Sequence, residues 1–442
     1  MRAARRRRGI GHTRRVGSGI SSSCYSSALP GAGQPPSAVQ MAIDYLERIL
    51  NSRVYDVAVE TPLELAPNLS ARLGNRLMLK REDMQPVFSF KLRGAYNKMA
   101  NLPAHALKRG VIAASAGNHA QAVAYHGKRL GIPVTIVMPK PTPIMKVTQT
   151  ESHGARVILT GERYDDAYDH ARELEAKEGM VFVHPFDDRD IAAGAGTVAL
   201  EMLEDAPDLE MLSVPIGGGG LISGMSIAAK AHDPAIEIVG VEAELYPSMK
   251  NVVEGGDGPI GGDTLAEGIA VKEPGQLTRA IIKDLVSEIL LVPERDIERA
   301  VAMLVAIEKS VVEGAGAAGL AALLTHPERF AGRKVGVVLC GGNIDTHLLA
   351  NVLVRDLVRC GRIARLRIEA QDRPGALAAI TAKFHECGVN IIEVNHHRIF
   401  TRLPAKDTVI EVECEARDAQ AIDTLVKSLE AVGFNVERAE LD

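Results

Sequence analysis

VIAASAGNHAQAVAYHGKRLGIPVTIVMP, residues 111–139, decides the fold. It opens on an apolar run, passes through a small-residue turn, continues at helical spacing, and closes on a second β-branched run. Apolar runs of four to eight residues separated by helical segments mark strands buried on both faces of a parallel sheet. The pattern repeats outward. ARVILTG, MLSVPIGGGG, IEIVGVE and KVGVVLCGGN each end a β-branched run in turn residues, and together they carry the alternation from Val57 to about Asn351. The class is α/β, with right-handed crossovers and ligand sites at the carboxyl ends of the strands.

Beyond Leu353 the pattern changes. VRDLVRCGR reads as a basic, turn-prone linker over 354–362. IARLRIEA then reads as a strand, DRPGALAAITAKFHECG as a turn and helix with Pro374 in the first helical turn, and NIIEVNHHRIF and DTVIEVECEA as strands. A helix over DAQAIDTLVKSLEAVG and a last strand complete βαββαβ in 363–442, the ferredoxin-like arrangement. The larger domain is expected over 41–353.

Composition narrows the function. A net charge of −5, few aromatics and no Trp leave little for nucleic-acid binding. No stretch approaches the ~18 apolar residues that cross a bilayer. Five cysteines, Cys24, Cys340, Cys360, Cys387 and Cys414, show no CxxC pair, which suits a reduced cytoplasmic enzyme rather than a disulfide or zinc framework. Residues 1–40 differ: MRAARRRRGIGHTRR is Arg-rich, and no acid precedes Asp44. Such a tail is expected to be disordered. A transit-like leader, a basic tail and an over-long reading frame with Met41 as the start all fit it.

Four stretches carry candidate chemistry. KREDMQPVFSFKLRGAYNKM, 80–99, places Lys91 where it would open a helix after the turn at Pro86. AASAGNHAQAVA, 113–124, sets Ser115, Ala116, Gly117, Asn118 and His119 before or at a helix start, where free N–H groups bind an anion such as a carboxylate or where a cap alone is needed. VPIGGGGLISG, 214–224, holds Gly217, Gly218, Gly219 and Gly220 between strand and helix, followed by Leu221. It has neither a Walker lysine nor the GxGxxG spacing, so a single phosphate suits it better than a dinucleotide. VVLCGGNID, 337–345, puts Cys340 at a strand end.

Together these stretches resemble the fold type II pyridoxal-phosphate enzymes, the family of tryptophan synthase β-chains and cysteine synthases. The resemblance implies that Lys91 carries pyridoxal 5′-phosphate and acts as base, that Asn118 meets the ring hydroxyl, and that Gly217–Gly220 with Leu221 cradle the phosphate. It also implies that Cys340 meets the pyridine nitrogen. Ser115–His119 would then hold the substrate carboxylate. The SFKLRGA and SAGNHAQ wording resembles the threonine dehydratase and serine racemase branch. Ala116 stands where eukaryotic racemases have a proton-giving serine, which favours dehydration of L-threonine to 2-oxobutanoate and ammonia. Serine or hydroxyaspartate dehydration or racemisation, a non-catalytic amino-acid sensor and a NAD-dependent oxidoreductase are the alternatives. Glu242 matches one ligand of the branch's metal site, but Ser248 stands where a second acid is expected, so no metal is expected.

The 363–442 segment with DRPGAL resembles an ACT domain, an amino-acid-binding regulatory module that works between copies. Asp372, Gly375, Ala376, Leu377, Asn390 and Ile391 are the effector positions this implies, in a homo-oligomer, dimer or tetramer. An oligomerisation module without ligand is the plainer alternative.

Overall fold

The computed structural model describes residues 38–399 and 403–439. The expectations for the basic tail at 1–37 lie outside them. The helix expected from Met41 runs Ala38–Leu50, three residues earlier.

A six-stranded sheet has the order Leu63–Leu65, Arg76–Lys80, Lys334–Val338, Met211–Pro215, Glu237–Ala243, Glu288–Val292. All neighbours are parallel except the antiparallel edge Leu63–Leu65. A four-stranded parallel sheet orders Arg156–Leu159, Val134–Met138, Val111–Ala114 and Val181–Phe182. Every residue of Lys334–Val338, Met211–Pro215, Val134–Met138 and Val111–Ala114 is buried, as expected for strands covered by helices on both faces.

The third sheet is antiparallel, ordered Asn390–His397, Asp407–Glu415, Ile363–Gln371, Asn435–Arg438. Buried and exposed residues alternate along Ile363–Gln371, the mark of a sheet covered on one face. Helices Ala376–Glu386 and Ala419–Glu430 cover it through Ile380, Phe384, Ile422, Leu425 and Leu429.

Two local expectations need correction. The basic patch read as a 354–362 linker is mostly the second half of helix Thr346–Arg359. Val352 is buried and Leu349 and Leu353 pack on the large core, while Arg355 and Arg359 both pair with Glu298. The charges that suggested a turn are one face of an amphipathic helix. Pro374 lies before its helix, because Gly375 takes φ 91° and the helix starts at Ala376. A left-handed residue interrupts the helical run after the proline.

One buried charge cluster joins these parts. Arg93 is fully buried and donates from Nε and Nη2 to the two Glu82 oxygens at 2.8 Å each. Its Nη2 also reaches Glu201 Oε2 at 2.9 Å, and Lys80 bonds Glu201 and the Thr61 carbonyl. Burial alone would raise the Glu82 carboxyl, but the Arg93 charge and bonds outweigh it and hold the group below its ordinary value. Two cations and two anions cancel, which makes their burial tolerable. Replacing Arg93 with Leu strands the Glu82 carboxylate in the core and leaves Glu201 with Lys80 alone. The expected loss is about 3–5 kcal/mol of unfolding free energy, read by urea denaturation, and a loss below ~1 kcal/mol would contradict this account.

Candidate active site

The sites expected at strand ends form where the two parallel sheets approach each other through three loops. Lys91 is the first residue of helix Lys91–Ala100. The loop before it is tied to the turn after Lys334–Val338: Ser89 bridges Gly341, Phe90 N donates to the Cys340 carbonyl at 3.1 Å, and Gly342 N donates to the Phe88 carbonyl at 2.9 Å. Phe88 holds φ 55° within this tie. Lys91 and Cys340 are thereby fixed to one another by backbone bonds. Cys340 itself lies two residues past the strand end, buried, and burial pushes its thiol well above the ordinary range. It is a neutral group at working pH.

Lys91 Nζ donates to the Pro185 carbonyl at 2.8 Å. Burial lowers its amine to about 8, against the opposing pull of Cys340 and Glu313. The next residue, Phe186, forms the bed of the glycine loop. A Cβ at Gly218 would fall 2.2 Å from its ring and one at Gly220 3.0 Å from its Cα. Gly219 takes φ 93°, and a Cβ there would lie 2.8 Å from Thr278 Cβ. Helix Gly220–His232 starts with no side-chain cap, so the N–H groups of Gly220, Leu221 and Ile222 are left without intrahelical partners. Such a start binds a phosphate without needing a basic side chain.

The 115–119 turn behaves alike. Helix Asn118–Leu130 has Gly117 at its N-cap and no side-chain cap, so a Ser or Asn serving merely as a cap is not what this turn provides. Among the described residues, Ser115 Oγ accepts only from Gly117 N, at 3.3 Å. His119 turns inward, its Nε2 2.8 Å from the Val183 carbonyl, and burial lowers it to about 3, so it offers the site a backbone N–H and a neutral ring. Asn118 Nδ2 donates to Glu313 Oε1 at 2.6 Å, and Asn118 Oδ1 accepts from Asn343 Nδ2 at 2.6 Å.

Lys91, Asn118, the glycine loop and Cys340 are therefore brought together. Glu313 and Asn343 were not singled out by sequence reasoning. Asn343 stood in the quoted CGGN, where only the cysteine was read; Glu313 precedes an Ala/Gly-rich helix and belongs to no motif. Glu242 lies behind the glycine loop: its carboxylate accepts from Met249 N at 2.7 Å and Lys250 N at 3.0 Å, and burial raises it to about 7. Ser248 is buried, its Oγ unpaired among the described residues. The six effector positions do not meet within one chain. Asp372–Leu377 follow the Gln371 end of their sheet, whereas Asn390 is in register with Glu415 and hence with Ile363, at the other end, about 26 Å away.

A lysine amine in a partly desolvated pocket, an uncharged thiol and a phosphate cradle fit a phosphorylated pyridine aldehyde. Comparison with known proteins agrees. The family model for pyridoxal-phosphate dependent enzymes matches residues 54–341, and that for the ACT domain matches 364–431. An L-threonine ammonia-lyase of Thermotoga maritima is 43% identical over 383 residues, 86% of this chain and 95% of its own. The processed threonine deaminase isoform 2 of Solanum lycopersicum superposes with a TM-score of 0.69 at 38% identity, covering 75% of this chain and 94% of its own. Maize serine racemase superposes at 0.66 with 32% identity, over 72% and 98% of the two chains.

The cradle can be tested directly. Gly219→Ala should weaken pyridoxal phosphate binding, measured by fluorescence titration, at least tenfold. Gly74→Ala, at φ 66° with open space around it, should cost only the ~1–2 kcal/mol of left-handed strain and leave the affinity unchanged. Equal affinities for both variants would refute the cradle.

Proposed function

The chain belongs to the pyridoxal-phosphate-dependent enzyme family, and on that premise we propose that it uses Lys91 to convert L-threonine to 2-oxobutanoate and ammonia. The observation that carries the reading is the backbone-fixed meeting of Lys91, Cys340 and the uncapped glycine-loop helix, in a chain 43% identical to a threonine ammonia-lyase. It is a threonine-dehydrating lyase with an ACT module, of the kind its relatives use in biosynthesis. L-Serine, which lacks one methyl, is a natural second substrate, because a methyl group discriminates by only ~1–3 kcal/mol.

When bound, the cofactor supplies an electron-withdrawing ring that acidifies the substrate Cα–H. Gly217–Gly220 and Leu221 would hold its phosphate by backbone N–H groups. Asn118 would donate to the ring hydroxyl. Cys340 would meet the ring nitrogen as an un-ionised thiol, so no carboxylate would fix a proton there. The N–H groups of Ser115–His119 bind the substrate carboxylate and orient Cα toward Lys91. Lys91 Nζ takes the Cα proton. Ala116 offers no proton to the opposite face, so elimination on the lysine face outruns racemisation.

The ACT module binds an amino-acid effector. Because the DRPGAL loop and Asn390–Ile391 lie at opposite ends of the sheet, a site using both sets draws them from two copies, which makes the enzyme a homo-oligomer. A cytoplasmic location completes the reading; among the described residues no helix is long and apolar enough to cross a membrane.

Lys91→Ala should abolish 2-oxobutanoate formation and the visible cofactor band together; turnover retained by the variant would refute the role. An amine lowered to about 8 is protonated below that value, so kcat should climb as pH rises through 8 and level off above it, and a flat profile from pH 6 to 9 would speak against Lys91 as base. L-Isoleucine or L-valine should change the rate or the sedimentation coefficient. No response to either would remove the effector reading.

A further inference from the structure

The carbonyl of Val87 can only accept a hydrogen bond, and Asn343 Nδ2 lies 3.0 Å from it. That fixes the Asn343 amide. The same nitrogen reaches Asn118 Oδ1, so Asn118 must show its oxygen to Asn343 and its NH₂ to the other side, where Nδ2 meets Glu313 Oε1. One backbone carbonyl thus sets two amides in series, with no hydrogen position assumed. Of the two Asn118 N–H bonds, one is taken by Glu313 and one is left for the site.

Glu313 is itself held. Its N–H donates to the Gly341 carbonyl at 3.0 Å, and a Cβ at Gly341 would fall 2.2 Å from Glu313 Oε1, so only glycine beside Cys340 leaves room for the carboxylate. Lys91 acts on it electrostatically from the site, and the Glu313 charge in turn helps keep Cys340 a thiol. Lys146 and Glu267, paired at 2.6 Å, face it from the other side and largely cancel. Asp345 shares with it a cavity of about 30 Å³, room for a water.

We propose that Asn343 and Glu313 are positioning residues for the elimination: they lock Asn118 with its second N–H turned to the cofactor ring hydroxyl, and the Glu313 charge acts on that contact. The inference rests on the reading of Asn118 given above. Burial raises the Glu313 carboxyl to about 7, so its charge changes within the working range. A carboxylate behind Asn118 disfavours negative charge on the ring oxygen, and removing it should make that oxygen easier to ionise.

The test is a pH titration of the visible cofactor band in the holoenzyme. Glu313→Gln should keep the band, lower its midpoint by about one pH unit and reduce kcat roughly tenfold with little change in KM, as expected when the charge behind a site ligand is removed while an acceptor for the Asn118 N–H remains. Glu313→Asp should restore part of both, and Asn343→Ala should lower kcat similarly. An unmoved midpoint in Glu313→Gln, beside a clear shift in Asn118→Ala, would overturn the proposal alone, even if the variant melts earlier. No shift in Asn118→Ala either would overturn the reading of Asn118 as well.

Discussion

Arg93 is the constraint on which the site depends. Its guanidinium sits two residues beyond Lys91, wholly inside the protein, and is gripped by Glu82 on one side and Glu201 on the other. Glu82 belongs to the turn after Arg76–Lys80, and Glu201 to helix Arg189–Asp205. The helix that begins at Lys91 is therefore pinned in direction by fixed charges. A planar fork with several donors suits this task better than an ammonium would, because both carboxylates are met at once.

Around that anchor the walls of the site are kept uncharged. His119 is lowered by burial to about 3, and His184 to about 4. His184 Nδ1 accepts from Phe186 N and Asp187 N, which fits a neutral ring. Cys340 is held as a thiol. Among these site groups, Lys91 and Glu313 are the two whose ionisation falls near neutrality. With so few titrating partners, burial outweighs the opposing pull of Glu313 and keeps the lysine amine usable as a base.

The sequence made legible what local pattern encodes. Val134–Met138 and Met211–Pro215 were readable because β-branched runs ended in turn residues, and the third sheet because its alternation is strict. Arg76–Lys80, RLMLK, has no β-branched residue, and Val181–Phe182 is two residues long, so neither announces itself. Lys91, the glycine loop and Asn118 were visible through contiguous motifs. Glu313 and Asn343 were not, since they meet Asn118 across 195 and 225 residues of chain and no local rule links them. The 354–362 stretch failed for another reason: its arginines looked like a solvated turn until Glu298, on a distant helix, supplied their partner.

Helix Thr346–Arg359 begins at Asp345, next to Asn343, and ends four residues before Ile363 opens the antiparallel sheet. With about 1.5 Å of rise and about 100° of rotation per residue, it acts as a spindle whose phase is set at both ends. Inserting one residue in it would swing the whole module around the axis by about a third of a turn. Chimaeras that exchange this module between relatives should therefore be cut in whole turns, since a joint judged by sequence alone would turn the exposed face of the antiparallel sheet to a different direction.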